Sequence, residues 1–452
     1  MTPELGVVAD DLSGAGDTGL QFAKRGLRTV VLFEWPDSLP PADVVVLETD
    51  SRLLPGLAAA ERVRSAVRAL LRLGVGRVYK KVDSTLRGNL GAEVDALLDE
   101  LPEAGALVAP AFPANGRTVV GGRLLVRGVP LDETEFAQDP VWPARDSAVA
   151  AALARQSRRC TGVIGLDAVR SGWRAIVAEA ESLRANGVDV CAVDAETARD
   201  LASIAQVVAR SERRWVGVGS AGLAEELPGA LGLGRAGPAP EGPSAWLVDA
   251  SLTWRGRTVG HDGMGLAFGS QPALVVVGSV NPVARGQLQA LLATGAAVVG
   301  LRVEALLAEP SEAARATERA VDEAAAALRA GSDAALVLQM PSGAEPTGEA
   351  SPRLTGAEAS ARLASGLGRA ASLLLRTGID VAGLVMTGGD TAKAVCRALG
   401  AQGIVVEREV LPGIPQGCLL GGFAAGLPVV TKAGGFGGPD ALVEALSFLR
   451  RI

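Results

Sequence analysis

A glycine-rich turn between an apolar run and a helical segment is the strongest candidate in this chain for holding an anion. The run 381–386 is followed by Thr387, Gly388, Gly389, Asp390 and Thr391, and residues 392–399 have helical apolar spacing. Glycines let backbone N–H groups approach a bound ion, and a helix N-terminus adds partial positive charge. Thr391 is predicted to cap the helix or to bond a phosphate oxygen. Asp390 next to a phosphate predicts an intervening Mg²⁺, although this turn alone fits a simple strand-to-helix connection equally well.

Three carboxylates follow the first apolar run of the chain. Asp10, Asp11 and Asp17 come after residues 5–9 and are expected to project from the carboxyl end of a strand, where open α/β sheets bind ligands. Capping a helix needs one acid, so three favour binding or catalysis over capping alone.

A second polar segment, KKVDSTLRGN, ends the strand predicted at 78–82. It contains Asp83, Arg87 and Asn89. A guanidinium suits a carboxylate, and Asp and Asn suit hydroxyls, so the segment could bind a small polyhydroxylated carboxylic acid. A capped helix with a surface arginine is the alternative.

Composition excludes several classes of function. The chain has 452 residues, a net charge of -6 and 3% aromatic residues, which argues against binding nucleic acid or an anionic membrane. No apolar run approaches the roughly 20 residues that a transmembrane helix needs. The four cysteines form no CxxC pair, and the chain enters a strand-like run at once, without a signal peptide. A cytoplasmic protein is therefore expected.

The chain has one histidine, His261, in a polar glycine-rich stretch. A Ser-His-Asp triad, a histidine-rich zinc site or a phosphohistidine would each have to use this residue. We interpret it as a surface-loop residue, and general-base chemistry therefore falls to carboxylates or lysines.

Apolar runs and helical segments alternate along the chain and predict an α/β protein of two α/β domains with mainly parallel sheets and an active-site cleft between the domains. The predicted boundaries are an N-terminal domain at 1–232, a linker or insertion at 233–271 and a C-terminal domain at 272–452. The C-terminal half contains three glycine turns, GSVNP, TGGDT and KAGGFG, each after an apolar run. Together they suit a nucleotide better than any one alone.

With these motifs in hand, the sequence resembles the four-carbon acid sugar kinase family, whose members phosphorylate threonate, erythronate or 3-oxo-tetronate at the terminal hydroxyl with ATP. The resemblance covers nearly the whole chain, in the order VADDLSGAGDTG, KVDSTLRGN, APAFPANGRTV with VPLDETEFAQDP, VGSAGLA, GSVNPVARGQ, TGGDTA, EVLPGIPQG and VTKAGGFG. It implies an N-terminal substrate domain and a C-terminal nucleotide domain.

The resemblance also implies functions for individual residues. The residues on the substrate-side motifs are Asp10, Asp11, Asp17, Asp83, Arg87 and Asn89. The residues on the ATP-side motifs are Ser279, Gly388, Gly389, Asp390, Thr391 and Gly434. Arg87 is expected to pair with the substrate carboxylate, and Asp17 or Asp83 to act as the base, unranked against Asp10 and Asp11. Mg²⁺ would bridge the phosphates, and its protein ligands are not predicted.

The chain departs from the family pattern at two places. The linker before GSVN is longer than usual and includes His261, so it is interpreted as an insertion of undefined role. Asn281 stands where many members have serine.

Two other functions stay open: a catalytically inactive regulator that binds nucleotide or sugar acid, and an ATP-dependent acid-activating ligase. The regulator would be expected to lose the acids and Arg87, which are all present. The ligase would need an amine or thiol acceptor. The stereoisomer, the oxidation state and branching of the substrate, and a homodimeric state are also left open.

Overall fold

The computed structural model describes residues 2–36, 38–139, 142–210, 215–234, 253–254, 257–258, 271–279, 281–340 and 356–451. The chain divides into two compact units, Met1–Ala239 and Pro240–Ile452. His261 and most of the predicted insertion (235–252, 255–256 and 259–270) lie outside the described residues. The boundaries 1–232, 233–271 and 272–452 therefore stay predictions.

The first unit alternates strands and helices. Its strands are β1 (Leu5–Ala9), β2 (Thr29–Leu32), β3 (Val44–Glu48), β4 (Val78–Lys81), β5 (Gly105–Ala109), β6 (Arg117–Val120), β7 (Arg123–Val126), β8 (Val129–Pro130), β9 (Cys160–Ile164), β10 (Val188–Val193) and β11 (Trp215–Gly219). Its helices are α1 (Leu12–Ala23), α2 (Gly56–Arg72), α3 (Leu90–Glu100), α4 (Val149–Ala154), α5 (Leu166–Arg170), α6 (Trp173–Ala185), α7 (Ala198–Arg210) and α8 (Ala221–Leu231).

The main sheet of this unit has the order β2-β3-β1-β4-β11-β5-β10-β9, and all its neighbouring strands pair in parallel. Central strands such as β1 (LGVVA) and β3 (VVVLE) are buried along their whole length, because helices cover both faces of a parallel sheet. In the sheet, β1 has β3 as its neighbour on one side and β4 on the other. The loops after β3, β1 and β4 therefore lie side by side at one edge, where α/β sheets bind ligands.

A small antiparallel sheet interrupts the alternation of strands and helices. β6 pairs with β7, with Thr118 opposite Leu125, and β7 pairs with β8. The chain reverses direction at Gly121 and Gly122, so β6 and β7 form a hairpin.

The second unit has the same alternation. Its strands are β12 (Thr253–Trp254), β13 (Arg257–Thr258), β14 (Leu274–Val277), β15 (Ala297–Arg302), β16 (Ala334–Gln339), β17 (Leu384–Thr387), β18 (Gly403–Leu411), β19 (Ile414–Leu420) and β20 (Pro428–Lys432). Its helices are α9 (Pro282–Ala293), α10 (Val303–Leu307), α11 (Pro310–Arg329), α12 (Gly356–Arg376), α13 (Gly389–Ala398) and α14 (Ala441–Leu449).

The sheet of the second unit has the order β15-β16-β14-β17-β20-β19-β18. The first five strands are parallel, and β19 and β18 are antiparallel additions. Val275, Val385 and Val430, from the three adjacent strands β14, β17 and β20, pack in one core with α14. The loops after these three strands are therefore neighbours. Both sheets confirm the predicted α/β fold with mainly parallel strands.

Two helices begin earlier than the sequence indicated. α1 begins at Leu12, capped by Asp11, whose side chain accepts the Gly14 N–H at 2.9 Å. Asp17 therefore lies inside the helix instead of in the loop after β1. α13 begins at Gly389 with Gly388 at its N-cap, so Thr391 does not cap this helix, and its other predicted role, bonding a phosphate oxygen, stays a prediction. Glycines are weak helix formers, but tertiary packing outweighs that preference in a helix as buried as α1.

Candidate active site

Charged side chains from three adjacent loops meet around one arginine of the first unit. Arg52, in the loop after β3, donates from Nε to Asp10 Oδ2 at 2.7 Å and from Nη2 to Asp10 Oδ1 at 3.0 Å. The same Nη2 reaches Asp11 Oδ1 at 2.6 Å, and Nη1 lies 3.4 Å from Asp83 Oδ2. We call Asp10, Asp11, Arg52, Asp83 and Arg87 the acid–arginine cluster. It brings together four of the predicted site residues, and Arg52 is a member that sequence reasoning missed.

Backbone geometry at the cluster is unusual. Asp50 and Leu86 have positive φ angles, +52° and +59°, in the loops that carry Arg52 and Arg87. Such conformations cost non-glycine residues about 1–3 kcal/mol and tend to occur at functional sites. Gly88 has a φ of +98°, and a Cβ there would lie 3.5 Å from Asp10 Oδ2. The chain therefore accepts local strain to place these loops.

Asp83 is the most heavily bonded carboxylate of the cluster. Its Oδ1 accepts the backbone N–H and the hydroxyl of Thr85, and its Oδ2 accepts Nε and Nη2 of Arg87 at 3.0 and 2.7 Å. Burial alone would raise the pKa of Asp83, but Arg87, Arg52 and Lys81 lower it far below its ordinary value. Asp83 therefore stays ionised and accepts a proton only weakly.

Two predicted substrate residues also hold the loops in place. The Asn89 amide donates to the carbonyls of Ser51 and Leu54 at 2.9 and 2.8 Å, which fixes the loop of Arg52. Asp11 caps α1 as well as contacting Arg52. A role in substrate binding for either residue stays a prediction.

Asp17 is only 7% exposed on α1. Its Oδ1 accepts Gln21 Nε2 at 3.3 Å. Burial, and then the charge of Asp17, raise the pKa of Tyr79 well above its ordinary value, and the Tyr79 hydroxyl donates to the Ser220 carbonyl. Asp17 lies about one and a half turns into α1, whose N-cap residue is Asp11.

Strand β4 ends in two lysines with different surroundings. Lys80 forms a buried ion pair with Glu93, with Nζ 2.7 Å from Oε2. Lys81 lies on the side of α1, where its Nζ occupies the space next to Gly14.

Glycines surround Ser279 at the three strand ends of the second unit. Gly388 has a φ of +99°, and a Cβ there would lie 3.6 Å from the Ser279 backbone nitrogen. A Cβ on Gly434 would collide with Ser279 Oγ, and one on Gly278 would collide with Thr391 Oγ1. Three predicted nucleotide residues, Ser279, Gly388 and Gly434, thus border one space. We call Ser279, the turn at 388–391 and Gly434 the glycine cradle.

The remaining predicted residues of this half belong to the start of α13. Gly389 and Asp390 open the helix, and Asp390 is in its first turn. The helix points its N-terminus at the cradle, which suits a phosphate. No group of three or more metal-ligating side chains occurs among the residues that the structure describes.

Lys432 braces the cradle, and sequence reasoning did not select it, although it directly precedes the AGGFG turn. Its Nζ donates to Thr387 Oγ1 at 3.1 Å and to the carbonyls of Ala433 and Gly434 at 3.0 and 3.4 Å. These bonds join the turn after β17 to the turn after β20. Burial lowers the pKa of Lys432 to about 8.

If the glycine cradle binds ATP as the sequence predicts, this pKa makes the binding depend on pH. Below about pH 8 the ammonium donates all three bonds, whereas above it the amine has one donor fewer and no charge. We expect KM for ATP to rise about tenfold as the pH increases through this range, because hydrogen bonds from a charged group are worth about 1.5–3 kcal/mol. Initial rates measured from pH 6.5 to 9.5, with ATP varied and the other substrate saturating, give KM for ATP at each pH. Lys432→Arg keeps its charge over the whole pH range, so the rise in KM for ATP with pH should disappear. If the rise persists in this variant, it comes from another titrating group.

Comparison with known proteins agrees with the division into units. Residues 5–227 match a sugar-binding N-terminal domain family, and residues 274–442 match a nucleotide-binding C-terminal domain family. Within the described ranges, no helix combines the length and apolar character needed to cross a bilayer.

Characterised relatives cover almost the whole chain. A D-threonate kinase of Bordetella bronchiseptica is 38% identical, with 99% of this chain and 98% of the relative covered. A D-erythronate kinase of Heliobacterium modesticaldum is 34% identical, with 98% and 96% covered. A crystal structure of a Salmonella typhimurium LT2 protein has the same fold, with a TM-score of 0.75 at 24% identity and 98% of both chains covered. The match of both domain families and of these relatives shows that the chain belongs to the four-carbon acid sugar kinase family.

Proposed function

We propose that this protein is an ATP-dependent kinase that phosphorylates the terminal hydroxyl of a four-carbon acid sugar such as threonate, erythronate or 3-oxo-tetronate. The observation that carries the proposal is the acid–arginine cluster on three adjacent strand ends of the sugar-binding domain. Its mixture of carboxylates and guanidinium groups matches the hydroxyls and the carboxylate of such a substrate. The glycine cradle, in the nucleotide-binding domain, would bind ATP.

Different residues bind different groups of the substrate. Arg87 pairs with the substrate carboxylate, while Asp10, Asp11 and Asn89 orient hydroxyls. The base is Asp17 or Asp83. Because Asp83 has a strongly lowered pKa, it suits positioning better than proton transfer, and Asp17 is the stronger candidate for the base.

ATP binds through the backbone of the cradle. N–H groups at the start of α13 and the small residues around Ser279 leave room for phosphates to approach the chain. Mg²⁺ commonly binds to phosphate oxygens and one or two carboxylates, and Asp390 could supply one, so the donors present fit this ion. Bound there, Mg²⁺ would offset phosphate charge during transfer. The reaction would take place in the cytoplasm, with a small-molecule acid sugar as partner and neither nucleic acid nor membrane involved.

An ADP-release assay tests the proposal. The protein is incubated with ATP, Mg²⁺ and one acid at a time from D-threonate, L-threonate, D-erythronate and 3-oxo-tetronate, without an amine or thiol. We expect ADP and a phosphorylated acid, identified by mass spectrometry, for at least one member. A regulator would release no ADP with any acid, and a ligase would need an added acceptor.

Arg87 provides a test of substrate placement. Arg87→Lys keeps the charge but loses the planar fork that binds Asp83, so we expect KM for the acid to rise about tenfold with KM for ATP nearly unchanged. Steady-state kinetics with each substrate varied measures both constants. Arg170→Lys, which alters an exposed pair with Glu196 on the same domain, is the matched control. A rise in KM for ATP alone would instead place Arg87 on the phosphate side.

A further inference from the structure

Gln287 is a buried glutamine whose side-chain amide binds the main chain of the turn after β20. It lies on α9, at the end of the motif GSVNPVARGQ, and it is 0% exposed. Its Nε2 donates to the carbonyls of Phe436, Gly437 and Gly438 at 2.9, 3.2 and 2.9 Å. One side chain of α9 thus holds three successive carbonyls at the end of the AGGFG turn, which we define as residues 433–437.

The oxygen of the same amide has no hydrogen-bond donor. Gln287 Oε1 is buried and unpaired in the described part of the chain. A buried acceptor without a donor costs free energy, and methionine has a similar length and helix propensity without that cost. Packing in α9 therefore does not explain a glutamine at this position. The three bonds that Nε2 donates to the turn explain it.

The AGGFG turn begins with a β-turn that has two glycines at its centre. The Phe436 N–H donates to the Ala433 carbonyl at 3.1 Å, which closes the β-turn. The central N–H groups, those of Gly434 and Gly435, donate no hydrogen bond within the described residues. Lys432 Nζ binds the carbonyls of Ala433 and Gly434. In a planar trans peptide the C=O and the following N–H point in opposite directions, so these two N–H groups point away from Lys432.

Both of these N–H groups lie beside the glycine cradle. A Cβ on Gly434 would collide with Ser279 Oγ, and one on Gly435 would lie 3.7 Å from Asn281 Nδ2. N–H groups of successive residues are the donors with which many loops bind phosphate oxygens. The β-turn therefore presents two donors of the right kind at the place where the sequence predicts ATP.

Gln287 holds this β-turn through Phe436. Glycines have more backbone conformations available than other residues, so a turn with two of them needs neighbours that fix it. Phe436 closes the β-turn through its N–H, and its carbonyl is bound by Gln287. The conformation of the turn and its attachment to α9 are therefore coupled through one residue.

We propose that Gln287 is a positioning residue of the nucleotide site, which keeps the N–H groups of Gly434 and Gly435 directed at the phosphates of ATP. Gln287 is fully buried, so it acts through the AGGFG turn and not by contact with the nucleotide. The inference rests on the proposed binding of ATP at the glycine cradle and adds Gly435 and Gln287 to that site.

The first test reverses the interaction between α9 and the turn. Gln287→Glu keeps the shape of the side chain, but an ionised carboxylate only accepts hydrogen bonds and would repel the three carbonyls. We expect calorimetric titration with ATP and Mg²⁺ at about pH 7.5 to show about 10- to 100-fold weaker binding, because each lost hydrogen bond changes an equilibrium by up to about tenfold. Gln289→Glu, at an exposed glutamine of the same helix, adds the same charge and should bind ATP like the wild type.

Protonating the introduced carboxyl gives a readout that general damage to the fold would not give. A carboxyl buried against three carbonyl oxygens has a raised pKa, because burial and the neighbouring oxygens disfavour its charge. Once protonated, its O–H can donate to a carbonyl again. Between about pH 7.5 and 5.5, the ATP dissociation constant of Gln287→Glu, divided by that of the wild type, should therefore fall at least about threefold. A matched Gln287→Met variant has no donor at either pH, so its ratio should stay raised about five- to tenfold at both.

Binding of the acid sugar is the internal control, because the acid–arginine cluster belongs to the other unit. KM for the acid identified in the wild-type screen should stay within about twofold in both variants of Gln287. A rise in KM for the acid that matches the loss of ATP affinity would indicate general damage and would overturn the positioning role.

The outcomes separate this inference from the function on which it rests. A wild-type protein that binds ATP but phosphorylates none of the acids would overturn the kinase proposal, and the titrations would still decide the inference. A wild type that binds no ATP would overturn both. Wild-type ATP affinity in a folded Gln287→Glu or Gln287→Met protein would overturn the inference alone, and Gln287→Met decides if Gln287→Glu does not fold.

Discussion

Replacing Asp83 with asparagine is expected to lower kcat by about 100- to 10,000-fold, because removing one partner of a buried ion pair costs about 3–5 kcal/mol. The carboxylate accepts four hydrogen bonds, from the Thr85 N–H, the Thr85 hydroxyl and two nitrogens of Arg87. An amide has one acceptor oxygen, and its NH₂ would face cationic nitrogens. The substitution therefore disturbs Arg87 and Arg52 together, while the glycine cradle in the other unit is unaffected.

Asp17→Asn is expected to lower kcat within the same range if Asp17 is the base. The two variants should differ in their pH profiles. Loss of a base removes a break from the profile of kcat, whereas loss of the ionised anchor Asp83 lowers kcat at every pH. Asp167→Asn, at an exposed aspartate on α5, is the control and should retain full activity. Stopped assays over pH 5–9, with ATP binding measured by calorimetry, distinguish these effects.

His261 provides the opposite test. It lies outside the described residues, and His261→Ala is expected to stay within about threefold of wild type, as for a group outside the chemistry. If His261→Ala abolishes turnover while Asp17→Asn and Asp83→Asn remain active, the residues of the predicted insertion supply the catalytic group. The assignment of the base to a carboxylate would then be wrong.

The sequence predicts the parts of the site that depend on short-range order. A polar segment after a buried apolar run lies at a strand end, and this rule located Asp10, Asp83 and Arg87 correctly at one sheet edge. The glycine turns after β17 and β20 were located in the same way. The pairing of β1 with both β3 and β4 is a long-range property, which no single segment encodes.

Arg52 shows why the remaining part was not predicted. The residue follows β3 in the segment TDSRLL, which has neither a glycine turn nor paired acids to draw attention to it. Its importance comes from the three carboxylates that the fold brings to it from two other loops. Lys432 is similar, because one of its three acceptors, Thr387 Oγ1, belongs to strand β17, which is next to β20 only in the folded sheet.

Helix boundaries were the other source of error. The sequence analysis placed Asp17 with Asp10 and Asp11 at the carboxyl end of the first strand, but residues 12–23 form a buried helix that contains Asp17. Burial against the sheet and α8 stabilises this helix more than glycine destabilises it. The sequence therefore predicted which carboxylates belong to this region, but not which of them lies inside a helix.

Closing the glycine cradle is expected to weaken ATP binding about 10- to 100-fold, because strain of about 1–3 kcal/mol at each position must be relieved before phosphate can approach. Gly388→Val places a β-branched residue at a φ of +99°, which such residues rarely adopt, and directs its side chain towards Ser279. Gly434→Ala avoids the backbone problem and instead brings a methyl group into collision with Ser279 Oγ.

The matched control for the cradle is Gly438→Ala, four residues further along the same loop, where a Cβ meets nothing within 4 Å. We expect calorimetric titration with ATP to show weaker binding for Gly388→Val and Gly434→Ala, and wild-type affinity for Gly438→Ala. Binding of the acid sugar to each variant should be unchanged, because the acid–arginine cluster belongs to the other unit. Gly434→Ala decides the question if Gly388→Val does not fold. Unchanged ATP affinity in a folded Gly434→Ala protein would move the phosphates away from Ser279, because that methyl group cannot share the space with both the serine hydroxyl and a phosphate.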